Sequence, residues 1–179
     1  MSAMTRSIPS IDFRLATSAS EAERQQFVRE VGDALKDIGF FALTHHGIPR
    51  SLIDETYAQC DAFFDLDEPT KRLYLQPGIG HQRGYTAFGV EHAKDNPAPD
   101  LKEFWQTGRA YPEDGTTPTY PRNVWPTAHV EGFQSITEAL FSGMESLAQH
   151  LLAACSEYLG KPRAWLPEMS NEGNTIMRM

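Results

Sequence analysis

From about Thr127 to Leu159 apolar residues recur mostly at intervals of three and four: Val130, Phe133, Ile136, Leu140, Phe141, Met144, Leu147, Leu151, Leu152, Cys155 and Leu159. That spacing draws one stripe along a helix. Gly160 and Pro162 stop it, since glycine takes the left-handed conformation that closes a helix. Such a helix, about 30 residues long, spans roughly 45 Å at ~1.5 Å per residue. Its stripe needs something large to pack on.

Shorter patterns precede it. Ile8-Pro9-Ser10-Ile11-Asp12-Phe13 alternates apolar and polar, as a short edge strand does. Ser20-Glu21-Ala22-Glu23 has the form of a capping box. It predicts a helix with Phe27, Val31, Ala34, Leu35 and Ile38 on its apolar face, ended by Gly39. Phe40 to Thr44 is an apolar run of strand length. Gly47 then permits a sharp turn, and Pro49 suits the entry to a second helix. Ser51 is the predicted cap of that helix, with Leu52, Ile53, Tyr57, Cys60, Phe63 and Phe64 on its buried side. Asp65 to Tyr74 predicts a short helix with Asp67 as cap and Pro69 in the first turn. Strands are predicted around Arg83-Gly84-Tyr85 and over Leu101 to Thr107. Between them Asp95 to Asp100, with two prolines, reads as a loop. Tyr111 to Pro126 carries four prolines and predicts a surface crossing. Asn174 to Met179 begins a further strand.

Composition narrows the classes. The chain has 179 residues and 40% hydrophobic content, which fits a globular fold. Its net charge of −8 is interrupted by no basic stretch, so a phosphate-backbone partner is not expected. No segment reaches the length of a membrane span. The first residues, Met1 to Ser7, lack the apolar stretch of a signal peptide. Cys60 and Cys155 fall on apolar faces of predicted helices and read as reduced core thiols of a cytoplasmic protein.

Five pieces in order carry a family resemblance: Ile8-Pro9-Ser10-Ile11-Asp12; Gly39-Phe40-Phe41 with His46-Gly47-Ile48-Pro49; Phe63-Phe64 with Lys71; Arg83-Gly84-Tyr85; and Asp100-Leu101-Lys102-Glu103. Together they resemble the N-terminal half of the isopenicillin N synthase-like family, the iron(II)- and 2-oxoglutarate-dependent oxygenases. The match runs from about residue 8 to residue 179. It implies an α+β chain: an N-terminal helical and strand region, then the long helix that supports a double-stranded β-helix, or jelly roll. The expected division is 1–126 as the N-terminal region and 127–179 as the supporting helix and start of the oxygenase domain, the rest of the jelly roll missing.

In that family iron(II) is held by His-x-Asp and a distant His, and an Arg-x-Ser binds the 2-oxoglutarate carboxylate. Such a facial triad leaves coordination positions open. No His-x-Asp occurs among the six histidines of this chain. His129-Val130-Glu131 imitates it, but on a helix residues two apart diverge and cannot share an ion. His45 and His46 follow a strand and point to opposite faces; His46 is expected to hydrogen-bond the His-Gly-Ile-Pro turn. His81, His92 and His150 lack a ligand at metal spacing. No metal ligand and no catalytic residue is therefore expected in this chain. The ligands for iron(II) and the co-substrate 2-oxoglutarate are expected downstream of Met179.

Three residues are candidates for substrate or co-substrate contact through the resemblance. Arg83 lies in a segment near the mouth of the family's active site, where two parallel hydrogen bonds can take a carboxylate. Tyr85 would shape the same wall. Arg178 is a charge in the apolar run Ile176-Met177-Arg178-Met179, which calls for a partner or a cavity. The ethylene-forming enzyme has a similar Met-Arg step beside its 2-oxoglutarate pocket. Glu91 lies in a region that contacts substrate in the ethylene-forming enzyme, and it reads more simply as a solvent-exposed carboxylate. Lys102 and Glu103 read as a partly exposed ion pair.

Two functions compete. The resemblance implies an oxidoreductase, a dioxygenase that hydroxylates, desaturates or ring-closes a small organic substrate while 2-oxoglutarate is decarboxylated to succinate. On that reading the 179-residue chain alone is inactive. The alternative is a non-catalytic half-domain that serves as a binding module. Its long apolar stripe and terminal strand edge would then need a covering partner. Neither the substrate nor the oligomeric state is legible.

Overall fold

The computed structural model describes residues 7–92, 94, 98–112, 119–171 and 173–179. In chain order the elements are β1 (Ser10–Asp12), a 3-10 turn (Phe13–Thr17), α1 (Glu21–Asp37), β2 (Ala42–Thr44), α2 (Arg50–Phe64) and α3 (Glu68–Arg72). A second 3-10 turn (Pro77–Ile79), β3 (Gly84–Thr86), β4 (Phe104–Gly108), α4 (Phe133–Tyr158), α5 (Trp165–Ser170) and β5 (Ile176–Arg178) follow. The chain is α+β. It divides into two compact units: Met1–Gly47 with Met144–Asn171, and Ile48–Gly143 with Glu172–Met179. No helix among the described residues is long and apolar enough to cross a membrane.

The first unit is built around α1. Ser20 caps it by accepting from the Glu23 amide, as the capping box predicts. The reciprocal half differs: the Glu23 carboxylate takes the Ser18 hydroxyl, and Ser18 Oγ in turn accepts from the Ser20 amide. β1 and β2 pair in parallel with Ser10 opposite Ala42 and Asp12 opposite Thr44. Ile11, Phe27, Val28, Val31, Ala34 and Ala154 form the core, each apolar side chain contributing about 1.5–3 kcal/mol when large and fully buried. Tyr158 packs against α1 at Gly32. A Cβ at Gly32 would stand 2.0 Å from its ring, and its hydroxyl donates to Asp33 at 2.7 Å.

The second unit is built around the antiparallel sheet β3-β4-β5. Tyr85 pairs with Trp105, and Thr107 with Met177. Side chains alternate across a pleat, so one face carries Tyr85, Trp105, Thr107 and Met177. That face closes over Phe63 and Phe133: the Phe63 and Trp105 ring centroids are 4.8 Å apart, edge to face. The other face carries Thr86, Phe104, Gln106 and Arg178. Beyond the start of β3 at Gly84, Asn123 takes over its pairing role. Its Nδ2 donates to Gly108 O and its Oδ1 accepts from Gly108 N, both at 2.8 Å.

Several expectations need correction. β2 starts at Ala42 rather than Phe40, because β1 offers only three residues to pair with; Phe40 is exposed. Pro49, not Ser51, occupies the N-cap of α2, and no side chain caps that end. Leu35 and Tyr57 are exposed, while Thr56 takes the buried place next to Cys60 and Phe63. α4 begins at Phe133, since Gly132 is left-handed (φ 83°) and 127–132 form turns. His129 and Glu131 are therefore not on a helix. The segment 111–126 is not purely superficial: Tyr120 and Pro126 are buried, and Tyr111 packs edge to face on Tyr120. Residues 113–118 of that segment, and 95–97 of the predicted loop, lie outside the described residues.

Candidate functional site

The sheet face bearing Phe104 and Arg178 brings charges together. The Arg178 guanidinium stacks on Phe104, with Cζ 3.9 Å from the ring centroid. Glu91 accepts from it through both oxygens: Nη1 to Oε2 is 3.2 Å and Nη2 to Oε1 is 3.1 Å. Lys102 Nζ lies 3.1 Å from the same Glu91 Oε2 and 2.8 Å from Asp100 Oδ2. Burial alone would raise the Glu91 carboxyl. The Lys102 hydrogen bond and the Arg178 charge overcome this and hold it below the ordinary value. Lys102 is held above its ordinary value by hydrogen bonds to Asp100 and then Glu91.

Sequence placed Arg178 in an apolar strand, and the structure gives it a partner and a half-exposed surface. Arg83 has a different setting. It is fully buried, donates to Gln82 O and to Asn174 Oδ1, both at 2.7 Å, and its Nε has no partner. Its guanidinium lies across Gly108, where a Cβ would stand 2.0 Å from Cζ. Burial lowers its pKa, and Tyr120 and Tyr111 act in the opposite sense.

Tyr85 is also fully buried. Its hydroxyl donates to Glu103 and lies 3.3 Å from Glu68 Oε2. Lys71, buried from α3, donates to Glu103 at 2.9 Å and to Phe64 O at 3.3 Å. Burial, then the Glu103 hydrogen bond, pushes the Tyr85 phenol far above its ordinary value. The expected Lys102–Glu103 pair is thus replaced. Adjacent residues near a strand face opposite ways, so Glu103 goes to Lys71 and Lys102 to Glu91 and Asp100.

Glu91 was the residue whose role the sequence hid. It is not simply solvated, and its partner lies 87 positions away. The available signal was the alternation Phe104, Gln106 across from Arg178, which puts a ring and a guanidinium on one face.

Three of the histidines each meet a different partner, and His81 Nδ1 is buried without one. His45 takes a left-handed conformation (φ 52°) and sits 3.3 Å from Asp12. His129 Nδ1 and the Tyr74 hydroxyl are 2.6 Å apart. His150 Nδ1 lies 2.9 Å from Ser146 O. Among the described residues no group of three or more His, Cys, Asp or Glu side chains could hold a metal ion. The donors among the described residues do not fit an iron(II) centre.

Comparison with known proteins defines the class. A family profile described as the N-terminal region of a non-haem dioxygenase in morphine synthesis matches residues 8–128. A 2-oxoglutarate-dependent dioxygenase of Phoma sp is 32% identical over 167 residues, covering 88% of this chain and 52% of that protein. A second, from Dothideomycetidae sp. (strain 11243), is 29% identical over 168 residues, covering 87% and 48%. A crystal structure of a putative 2OG-Fe(II) oxygenase family protein from Caulobacter crescentus superposes with a TM-score of 0.80 at 30% identity, covering 97% of this chain and 55% of that one. A full-length Neurospora crassa protein, solved in complex with alpha-KG, shares the fold at a TM-score of 0.77 and 22% identity, covering 99% and 55%. The chain belongs to the 2-oxoglutarate- and iron(II)-dependent dioxygenase family, and its fold corresponds to the N-terminal portion of these enzymes. It spans about half the length of the curated relatives it matches.

Proposed function

We propose that this chain forms the N-terminal half of a non-haem iron(II)- and 2-oxoglutarate-dependent oxygenase acting on a small organic substrate. The reaction is a hydroxylation, desaturation or ring closure, with 2-oxoglutarate decarboxylated to succinate. The family match over residues 8–128 carries this reading. The reading requires iron ligands that the described residues do not supply. Residues 1–126 act as the N-terminal region and 127–179 as the supporting helix and opening strand of the oxygenase domain. The two free thiols support a cytoplasmic location.

Within this reading Arg178 contacts substrate or co-substrate, because it is the accessible guanidinium on the polar sheet face. Arg83, lying across Gly108, and Tyr85, on the opposite sheet face, shape the same wall by packing and hydrogen bonding. The test is the coding sequence and its product. A frame that runs past codon 179 into a His-x-Asp segment, whose protein forms succinate from 2-oxoglutarate with iron(II), supports the reading. A stop codon directly after codon 179, with no succinate formed, overturns it.

The second reading is a non-catalytic binding module. It stands if the stop codon is found and a purified partner of defined mass co-elutes with the chain.

A further inference from the structure

The Arg178 guanidinium already holds a carboxylate, and that carboxylate is the protein's own. Two parallel bonds from Arg178 to Glu91, on top of the Phe104 ring, form the geometry with which arginine takes up free carboxylates. The pair is open to water: the side chains of Arg178 and Glu91 are 47% and 35% exposed. An ion pair so placed is worth at most about 1 kcal/mol. A ligand carboxylate with similar geometry can therefore replace it.

Glu91 also has somewhere to stay. Lys102 is already 3.1 Å from its Oε2, on a flexible stem, and Asp100 steadies that ammonium at 2.8 Å. Leaving Arg178 would not strand Glu91 as an uncompensated charge. Arg83 offers no comparable exchange, since its partners are neutral oxygens and it is fully buried.

We propose that Glu91 is a built-in stand-in for a ligand carboxylate: a carboxylate compound binds by displacing Glu91 from Arg178, and Glu91 remains on Lys102. This rests on the reading of Arg178 as a ligand contact and adds the ligand class and the competitor. The exchange makes affinity rise when Glu91 loses its charge and vanish when Arg178 does.

The test is a calorimetric titration of the protein with succinate, a plain dicarboxylate, in wild type, Glu91→Gln, Arg178→Gln and Asp100→Asn, each first checked for an unchanged melting curve. Glu91→Gln is expected to tighten succinate binding by roughly two- to fivefold, the factor corresponding to release of an exposed ion pair. Arg178→Gln is expected to abolish binding. Asp100→Asn removes the same charge without freeing Arg178, and should tighten binding less than Glu91→Gln does. Unchanged or weaker binding in Glu91→Gln, with loss in Arg178→Gln, overturns the stand-in and keeps Arg178 as a contact. Equal tightening in Asp100→Asn also overturns the stand-in, since a general field then explains it. Binding that survives Arg178→Gln, or no binding in any variant, overturns both.

Discussion

Gly108 lies directly beneath the Arg83 guanidinium, so closely that a Cβ on Gly108 would come within 2.0 Å of Arg83 Cζ. The contact works like a lock, because Arg83 is itself tied to Gln82 and Asn174. Replacing Gly108 with alanine should cost about 1–3 kcal/mol, the usual range for overpacking a filled site. Urea denaturation would show it as a lower midpoint. The double variant with Arg83→Ala should be more stable than the sum of the two losses predicts, because the clash vanishes with the side chain. Strict additivity would mean that the two residues do not meet.

The Tyr85–Glu103–Lys71 network gives an ordered pair of losses. Tyr85→Phe removes one donor from Glu103 and should cost about 1–3 kcal/mol. Lys71→Met removes the cation from a carboxylate that is largely buried, and should cost about 3–5 kcal/mol. Equilibrium unfolding of both variants would test the order. A Tyr85→Phe loss larger than that of Lys71→Met would contradict the assignment of Lys71 as the counter-ion.

Acid stability should report on Asp12. Its carboxyl is held at about 2, below the usual 3.8, chiefly by the side-chain hydrogen bond from Arg14, whose backbone bond and charge also lower it against the effect of burial. A folded pKa below the unfolded one means that the unfolded chain binds the proton more readily. The contribution is complete above about pH 4 and is lost as pH falls towards 2. Melting temperatures of wild type and Asp12→Asn should therefore differ near neutral pH and converge through that acid window. A gap that stays constant down to pH 2 would rule this role out.

The two thiols should be slow to react. Burial, and then the Asp61 charge, pushes Cys60 up to about 11, and burial raises Cys155. Only thiolate attacks a disulfide reagent. Labelling with an aromatic disulfide at pH 8 should be slow in buffer and immediate in denaturant. Rapid labelling of Cys60 in the folded protein would show that the α2 face is open.

What the sequence made legible depended on range. The α4 stripe could be read because its periodicity is local. Its start was misplaced, since Val130 continues the apolar spacing yet Gly132 breaks the backbone two residues later, and two of its predicted members, Met144 and Leu159, are exposed. The Asp67 cap was legible for the same reason, and it accepts from Thr70 as expected. Partners across the chain were not. Glu103 meets Lys71 at a separation of 32 residues, and Glu91 meets Arg178 at 87. Spacing arguments carry no information about such meetings, because strand pairing and the turn that brings Glu91 back decide them. The charge at Arg178 announced that a partner existed without naming it.

Asn123 does for the sheet what a further residue of β3 would do. By presenting its amide to the Gly108 peptide, it fills both hydrogen-bonding positions of that edge. An unfilled edge is a template for strands from other molecules. The side chain of one asparagine thus closes this end of the sheet to growth by foreign strands, and Asn123→Ala would reopen it as a nucleus for aggregation at high protein concentration.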